Sequence, residues 1–338
     1  MENRICFSGK AISEDMNLMF DETNKDMLSA MAAKDEFANE LIKMAEEGLD
    51  FAVTLSDNIG KGPLYKYRQA YKEHLIDAGI AEANQIGMSA GIALAGKMVF
   101  AQVFGPFLSL RALDQVHTDI AYNDLPVRLM GTHGGLTSNG GPTHYTIMDI
   151  AIMRSLPNMT VIVPGDPRQC TKAVRASINH EGPVFIRMAR GVEPSVYITQ
   201  DYPYEIGKAI TTLEGEQITV IACGVGVAMA VCAANNAADN GISVRVIDMH
   251  TIKPIDKDII IKAAKETGRI LTVEDHLING GLGTSVAEVL AEARIGIPFK
   301  RLGIPDVFPP NGKAHDLYHH FGYDEHGILE EIRNMVQS

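Results

Sequence analysis

The sequence predicts an α/β protein of two domains, each a mostly parallel sheet with helices on both faces. Short apolar segments rich in valine and isoleucine alternate with helical patterns along most of the chain, which is typical of parallel sheets buried on both sides. The alternation stops at residues 191–216, where Pro, Gly and Tyr are frequent, and then resumes. A length of 338 residues also exceeds that of one ordinary hydrophobic core. We therefore expect two three-layer α/β domains.

The first domain is expected over residues 34–195, after an N-terminal extension of residues 1–33 that is polar, rich in methionine and weakly patterned. A helical pattern begins at Lys34 and ends at Gly48. The further elements alternate in the order strand FAVTLS, helix 81–96, strand MVFAQV, helix 109–122, strand VRLMGT, helix near 146–155, strand TVIVP, helix 167–180 and strand PVFIR. This order predicts a mostly parallel first sheet.

The segment 191–216 crosses between the domains and is expected to contain at most one hairpin, with the linker itself at residues 196–216. The second domain is expected over residues 217–338. Its elements follow as strand ITVIAC, a helix from Val225, strand SVRVID, a helix from Asp256, strand RILTVED, a helix from Thr284, strand FKRLG and a helix after His326. This second alternation predicts a smaller unit of the same class.

Composition restricts the function classes. Hydrophobic residues make up 46% and charged residues 21% of the chain, an ordinary globular balance. The net charge of −12 weighs against binding to nucleic acid, and an anionic substrate would need a local cluster of cations. The longest apolar stretch, Met98 to Leu110, is too short to cross a membrane.

The chain is predicted to be cytoplasmic. Its first residues, MENRICFSGK, lack the apolar core of a signal peptide. The four cysteines (Cys6, Cys170, Cys223 and Cys232) are scattered without the spacing of a metal site. Such usage fits a reducing compartment.

One acidic residue stands alone in an otherwise uncharged helical segment. In GIAEANQIGMSAG, residues 79–91, Glu82 is the only charged side chain. If this helix start is buried, an isolated carboxylate is costly and requires a partner. The residues of this segment do not identify that partner.

A second candidate is the loop from His133 to His144, HGGLTSNGGPTH, which follows a buried strand and precedes a helix. Ligands of such sheets bind beyond the carboxyl ends of the strands. Glycines let the backbone approach a ligand, and the histidines are suited to carry protons or to bind phosphate. A surface loop with incidental histidines is the alternative; two histidines around four glycines favour a functional loop.

Other polar positions carry weaker signals. Arg187 and Arg190 follow strand PVFIR, where an arginine either holds phosphate or pairs with a carboxylate. The turn GGLG at 280–283 lacks the spacing of a dinucleotide fingerprint. His250 and His276 are at least as well explained by packing or capping as by chemistry. The run LYHHF at 317–321 has no acidic ligand at metal spacing, so no metal site is assigned.

Several long segments together resemble the C-terminal half of the thiamine-diphosphate enzymes of the transketolase group. GIAEANQIGMSAG is similar to the family's glutamate helix, and GPTHYTIMDIAIMRSLPNMTVIVPGDP is similar to its segment around Gly-Pro-Thr-His. VRVIDMHTIKPID and VEDHLINGGLGTSVAE are similar to the start of its C-terminal domain. The resemblance covers residues 34–338 and implies a pyrimidine-binding domain followed by a transketolase C-terminal domain.

The resemblance implies a role for each candidate residue. The glutamate at the position of Glu82 hydrogen-bonds N1′ of the cofactor's aminopyrimidine and favours its imino tautomer. His144 falls on a histidine that hydrogen-bonds the donor's carbonyl and hydroxyl. His133 and Arg190 fall on residues that contact substrate hydroxyls or a terminal phosphate. The family's aromatic wall around the aminopyrimidine is implied for the following positions: Phe104, Phe107 and Leu110, the last a leucine where aromatics are common.

The chain departs from the family pattern before Gly-Pro-Thr-His. The family usually has Glu-Asp there, and this chain has Asn139-Gly140. In the family, that aspartate recognises the donor's C2 hydroxyl, and it is missing here. Tyr145 stands where the family usually has glutamine. An unusual or deoxygenated donor would fit the lost carboxylate.

The family's Gly-Asp-Gly…Asn motif, which holds Mg²⁺ and the diphosphate, does not occur in this chain. The resemblance therefore implies a partner chain that supplies this motif. A homodimeric core of an α₂β₂ heterotetramer is expected, and the chain alone should bind thiamine diphosphate weakly and have no turnover.

The leading interpretation is the C-terminal subunit of a two-chain transketolase, which transfers a ketol group from a ketose (phosphate) donor to an aldose acceptor. A 1-deoxyxylulose-5-phosphate synthase-like half is one alternative, because GIAE and DQVHTDIAY resemble that branch. The β subunit of a 2-oxo acid dehydrogenase is another. A non-catalytic paralogue is the third; the missing aspartate favours it, and the retained glutamate and histidines argue against it.

Overall fold

The computed structural model describes residues 32–56, 63–138, 140–191, 193–197 and 202–337. It confirms two mostly parallel α/β units. Almost all of the predicted N-terminal extension, residues 1–31, lies outside the described residues.

The first sheet has seven strands among the described residues. They are β1 (Phe51–Leu55), β2 (Leu75–Asp77), β3 (Met98–Phe104), β4 (Val127–Thr132), β5 (Thr160–Ile162), β6 (Val184–Arg187) and β10 (Thr251–Lys253). Their spatial order is β10-β5-β6-β4-β3-β1-β2, and all neighbours are parallel except β10, which is antiparallel to β5. The strands β1, β4 and β6 are buried along their whole length, as expected for a sheet covered on both faces.

The helices of the first unit largely follow the sequence pattern. They are α1 (Ala33–Glu46), α2 (Pro63–Ala70), α3 (Glu82–Leu94), α4 (Asp149–Ser155) and α5 (Pro167–Ile178). Helix α5 begins where predicted because Asp166 caps it, its side chain accepting a hydrogen bond from the Gln169 backbone. Helix α2 and strand β2 were not predicted, since both elements are short and many of their residues are polar and exposed.

In place of the predicted α-helix 109–122, the structure has mainly π-helical turns, which are wider than α-helical ones. Residues 107–121 contain two π-helical stretches, Phe107–Arg111 and Val116–Ala121, around a short α-helical turn. Such stretches are rare and occur often at functional sites. The apolar periodicity predicted a helix but not its pitch.

The second sheet has five strands among the described residues. They are β7 (Ile210–Leu213), β8 (Ile218–Ala222), β9 (Val244–Asp248), β11 (Ile270–Leu277) and β12 (Phe299–Ile304). Their spatial order is β12-β11-β8-β9-β7. Strand β7 lies within the predicted linker and pairs antiparallel with β9, so this part of the linker joins the second sheet instead of forming a local hairpin.

Five helices cover this sheet within the described part of the chain: α6 (Val225–Ala238), α7 (Lys257–Thr267), α8 (Leu282–Glu292), α9 (Ala314–Phe321) and α10 (Glu325–Gln337). Helix α8 begins two residues before the predicted Thr284, because the carboxylate of Glu274 accepts hydrogen bonds from the backbone of Leu282 and Gly283. Helix α9 was missed because its eight residues are too few for a clear period.

The two units share one strand and a buried polar network. Strand β10 follows the second unit's β9 along the chain but pairs with β5 of the first sheet. Asp248, at the end of β9, accepts hydrogen bonds from Gln169 of the first unit and from the hydroxyl of Tyr197. These contacts fix the orientation of one unit on the other. None of the helices in the described residues is long and apolar enough to cross a membrane.

Candidate active site

Glu82 is the first residue of α3 and is 6% exposed. The same helix face carries Gln85 and Ser89, which form a buried hydrogen-bonded group with Thr54 of β1. Glu82 is therefore a carboxylate held at the edge of the first sheet, on the buried side of its helix. A carboxylate buried in this way requires a partner, as expected from the sequence.

That partner within the chain is Arg111. Its Nη1 atom donates hydrogen bonds to both carboxylate oxygens of Glu82 at 3.0 Å, and its side chain is 52% exposed. Its guanidinium also lies 4.0 Å from the centre of the Phe107 ring, a cation–π contact. Sequence reasoning did not name Arg111, although it is the first cation after Lys97 and stands alone in an apolar segment as Glu82 does.

The predicted aromatic and histidine residues continue from Phe107 as one group of rings. The ring centre of Phe107 lies 5.8 Å from that of Phe104 and 5.3 Å from that of His144. The ring centre of Phe104 lies 4.2 Å from that of His133. Two phenyl rings and two imidazoles thus meet beside the Glu82–Arg111 pair.

The bend between β3 and the π-helical segment brings these rings together. Gly105 lies against Thr146 so closely that a β-carbon would overlap its side chain. The Ala112 backbone then donates to the Phe107 carbonyl at 2.9 Å, which closes the wider turn. Leu110 on this segment is 50% exposed, and its place in the aromatic wall stays a prediction.

His133 begins the histidine loop, residues 133–144, in an unusual backbone conformation with φ of 64°. A non-glycine residue at positive φ is uncommon and costs conformational energy. Burial, followed by the nearby Arg190 charge, lowers the pKa of His133 to about 4. The imidazole is therefore neutral at pH 7, with one nitrogen that donates and one that accepts. Its Nδ1 lies 2.9 Å from the hydroxyl oxygen of Thr132, which engages one of the two.

The Gly140–Gly141 pair, whose first glycine stands where the family usually has aspartate, has a physical explanation. A β-carbon on Gly140 would lie 2.6 Å from Cγ of His144, so the imidazole ring occupies the space of a side chain. Gly141 has φ of 73°, and the Asn311 side chain overlaps the position of its β-carbon. The side chains of His144 and Asn311 thus pack against two adjacent glycines of the loop.

The second unit holds this loop from outside. Asp275 accepts hydrogen bonds from the Leu136 backbone, at 3.1 Å to one carboxylate oxygen, and from the hydroxyl of Tyr323 at 2.9 Å. The Tyr145 hydroxyl donates to the Pro310 carbonyl at 3.2 Å and accepts from the Gly312 backbone at 3.3 Å. The histidine loop is therefore positioned by residues of both units.

The weaker sequence signals resolve into structural roles or remain candidates. Arg187 is buried and pairs with Asp149 at 2.8 Å, the carboxylate alternative considered for it. His276 accepts from the Ala151 backbone at the start of α4, and His250 stacks on Tyr204. Arg190 is exposed, and its backbone donates to Thr137 of the loop.

The glycine turn at 280–283 surrounds the carboxylate of Glu274 rather than an external ligand. A β-carbon on Gly281 would overlap this carboxylate, which also accepts the two backbone hydrogen bonds at the start of α8. Among the described residues, the histidines of the 317–321 run belong to no group of three or more potential metal ligands, and His319 pairs with Asp324 at 2.7 Å.

Comparison with protein families matches residues 26–194 to the family described as "Transketolase, pyrimidine binding domain" and residues 207–328 to "Transketolase, C-terminal domain". The chain is 37% identical over 310 residues to a subunit of the apulose-4-phosphate transketolase of Phocaeicola vulgatus, covering 91% of this chain and 98% of that protein. It is 36% identical over 307 residues to the 6-deoxy-6-sulfo-D-fructose transketolase subunit SqwH of a Clostridium species, covering 90% and 94% of the two chains.

A solved structure described as "Split gene transketolase, inactive beta4 tetramer" matches with a TM-score of 0.83 and 33% sequence identity, over 91% of this chain and 99% of that chain. The chain is also 34% identical to a 1-deoxy-D-xylulose-5-phosphate synthase of Geobacter sulfurreducens, but covers only 46% of that longer protein.

Proposed function

This chain belongs to the transketolase family, and we propose that it is the C-terminal, pyrimidine-binding subunit of a two-chain transketolase. The observation that carries the proposal is the group formed by a buried carboxylate, two phenylalanine rings and two histidines at one edge of the first sheet. The relatives of the same length are transketolase subunits, whereas the chain covers less than half of the deoxyxylulose-phosphate synthase.

The residues present fit the pyrimidine end of thiamine diphosphate. Glu82 offers a carboxylate shielded from water, which strengthens a single hydrogen bond to a ring nitrogen. Phe107 and Phe104 offer flat apolar faces for an aromatic ring. The diphosphate and Mg²⁺ are assigned to the partner subunit, because this chain lacks the Gly-Asp-Gly motif.

When bound, thiamine diphosphate supplies the carbon nucleophile that accepts the ketol group from the donor. The residues of this chain bind and orient. Glu82 holds a proton at the aminopyrimidine nitrogen. His133, neutral at pH 7, and His144 exchange protons with substrate oxygens. The Phe104 and Phe107 rings exclude water from that space.

We propose that the donor is a ketose with an anionic terminal group, which Arg190 binds at the exposed end of the loop. The family's aspartate is absent at Gly140, and the His144 ring occupies its space. The names of two relatives specify apulose 4-phosphate and 6-deoxy-6-sulfofructose, both ketose derivatives with an anionic group. This range supports a donor other than the common ketose phosphates.

The proposed partner is an N-terminal transketolase subunit with the Gly-Asp-Gly…Asn motif, assembled around a homodimeric core as α₂β₂. The related solved structure is described as an inactive tetramer of β chains alone, which supports self-association without activity. Ile80 and Leu110, close in sequence to Glu82 and Arg111, are 77% and 50% exposed. Apolar side chains at the edge of a site are suited to a subunit contact.

We also propose that the chain is cytoplasmic. Cys170 and Cys223 are buried free thiols, and burial raises the pKa of both well above the ordinary thiol value. Such thiols are chemically quiet and fit a reducing compartment.

The test is reconstitution with the N-terminal subunit, Mg²⁺ and thiamine diphosphate. We expect ketol transfer to an aldose acceptor from xylulose 5-phosphate, apulose 4-phosphate or 6-deoxy-6-sulfofructose, with higher kcat/KM for one of the last two. The chain alone should show no turnover and no tight Mg²⁺-dependent cofactor binding by calorimetry. Decarboxylation of pyruvate in place of ketol transfer, or tight binding by the chain alone, would contradict the proposal.

A further inference from the structure

The guanidinium of Arg111 makes two contacts at once. It donates to both oxygens of Glu82 at 3.0 Å, and it lies 4.0 Å from the centre of the Phe107 ring. These are the same two contacts, one hydrogen bond to the buried acid and one flat packing on the aromatic wall, that the proposed function assigns to the aminopyrimidine. Both groups are planar and carry N–H donors at their edge.

We propose that Arg111 is a placeholder for the aminopyrimidine, which the cofactor must displace from Glu82 and Phe107 when it binds. The guanidinium and the aminopyrimidine cannot both stack on the same face of Phe107 and hydrogen-bond to Glu82 from the same side. One planar group must leave before the other can make these contacts. This inference rests on the proposed function and adds a residue that sets cofactor affinity.

The surroundings suit an arginine that is held but can leave. Glu82 is buried, so a counter-ion lowers the cost of its charge when no other partner contacts it. Arg111 is 52% exposed, so water can solvate its charge once it turns outward. It ends the first π-helical stretch, and such stretches accommodate local changes of backbone pitch.

A quantitative consequence follows for cofactor binding. If only the fraction of molecules with Arg111 displaced can bind, the apparent Kd rises by the inverse of that fraction. A half-exposed ion pair has a modest free energy, so the expected effect is about fivefold in Kd. Removing the guanidinium should therefore tighten cofactor binding while destabilising the subunit.

The experiment uses the complex reconstituted with its N-terminal subunit. The Kd of thiamine diphosphate at saturating Mg²⁺ is measured by calorimetry for the wild type and for Arg111→Met, which removes the guanidinium and keeps an unbranched, flexible side chain. We expect a Kd about fivefold lower than wild type and a lower Tm of the complex without cofactor. An unchanged or higher Kd overturns the inference, and a higher value would assign Arg111 to holding the cofactor.

Arg175→Met is the matched control. Arg175 is 35% exposed and pairs with Glu40, whose side chain is 6% exposed, so it is a second partly exposed arginine on a buried glutamate. It lies on α5 and contacts α1, outside the ring group. This variant should lower the Tm and leave the cofactor Kd within about twofold of the wild type. A fall in Kd equal to that of Arg111→Met would overturn the inference.

Arg111→Lys is used if Arg111→Met does not fold. Lysine keeps the charge beside Glu82 but lacks the planar face that packs on Phe107, so an intermediate Kd is expected. A Kd equal to that of the wild type would count against the placeholder. If the wild-type complex binds no thiamine diphosphate, the proposed function fails; if it binds and the Arg111 variants do not change its affinity, only the placeholder role of Arg111 fails.

Discussion

Glu82 and Arg111 show how one residue pair can satisfy two interpretations. From sequence, an isolated acid on an apolar helix required a partner, and the family resemblance implied that this partner is the cofactor. In the structure, the carboxylate is buried and ion-paired with Arg111. The same burial that makes the ion pair necessary also excludes water from the hydrogen bond that the cofactor would make.

Glu82→Gln should abolish most of the activity of the reconstituted complex. Glutamine keeps the size of the side chain but cannot exchange a proton with the aminopyrimidine, and general acid–base contributions of this kind are about 10²–10⁴-fold. We expect kcat at saturating cofactor to fall by at least about 100-fold.

Glu40→Gln serves as the control, because Glu40 is equally buried and paired with an arginine but lies outside the site. It should keep near wild-type kcat. Activity of Glu82→Gln within about tenfold of the wild type would remove proton exchange at Glu82 from the mechanism.

At the scale of elements, the histidine loop is the part that both units build. Its backbone exchanges hydrogen bonds between Gly135 and Thr146, and the second unit contributes Asp275 at one end and the segment 310–312 near the other. A loop held at both ends loses less conformational entropy when it binds a substrate. Tyr145, found where the family usually has glutamine, is the residue that contacts the segment 310–312.

Tyr145→Phe should loosen this connection without unfolding either unit. The variant removes two hydrogen bonds of about 1 kcal/mol each and leaves the buried ring. We expect kcat/KM for the donor to fall about five- to tenfold, with faster hydrogen–deuterium exchange in residues 133–146 and 305–313.

Tyr122→Phe is the matched control, because the Tyr122 side chain is 80% exposed. Both measurements should then remain at wild-type values. Unchanged exchange in Tyr145→Phe would mean that the 310–312 segment does not restrain the loop.

The whole molecule buries several ionisable groups, and burial shifts the pKa values of its acids and histidines in opposite directions. It raises the pKa of Glu193 to about 8, and of Asp248 and Glu274 to about 7. It lowers the pKa of His133 and His276 to about 4. Depressed histidines lose their contribution to stability as pH falls from their ordinary pKa of 6.5 toward 4.

Glu193 has the opposite sign. Its carboxyl group favours folding in the protonated form, so stability is retained below its ordinary pKa of 4.5 and is lost as pH rises through about 8. Above about pH 7 the histidines are mostly neutral in the unfolded state as well, so the raised acids come to determine the slope. The free energy of unfolding should therefore decrease as pH rises from about 7 to 8.5.

Glu193→Gln should flatten that decrease. The full shift of Glu193 corresponds to roughly 3–5 kcal/mol, of which less than half falls between pH 7 and 8.5. Urea unfolding of the purified chain at three pH values across this window gives the slope. Glu292→Gln, at an exposed ion pair, should keep the wild-type slope, and an equal slope in Glu193→Gln would contradict the assignment.

The sequence by itself determined the class of the fold and the order of most strands along the chain, and it supplied the candidate positions for the chemistry. These properties follow from short-range patterns: apolar strands, helical periods, glycine-rich loops and a lone acid. Glu82, His133 and His144 could be chosen as candidate site residues from the sequence, because acids and histidines are rare in apolar or glycine-rich segments. The boundaries of α5 were predictable to within two residues, because its cap is local.

Only the tertiary structure decided which of these residues meet and what holds them. Arg111 reaches Glu82 across 29 residues, Gly312 reaches Tyr145 across 167, and strand β10 leaves its own unit to pair with β5. The sequence pattern around each residue is the same whether or not the contact forms. Long-range contacts depend on how sheets and helices pack, since the burial of apolar faces brings distant residues together regardless of their separation along the chain.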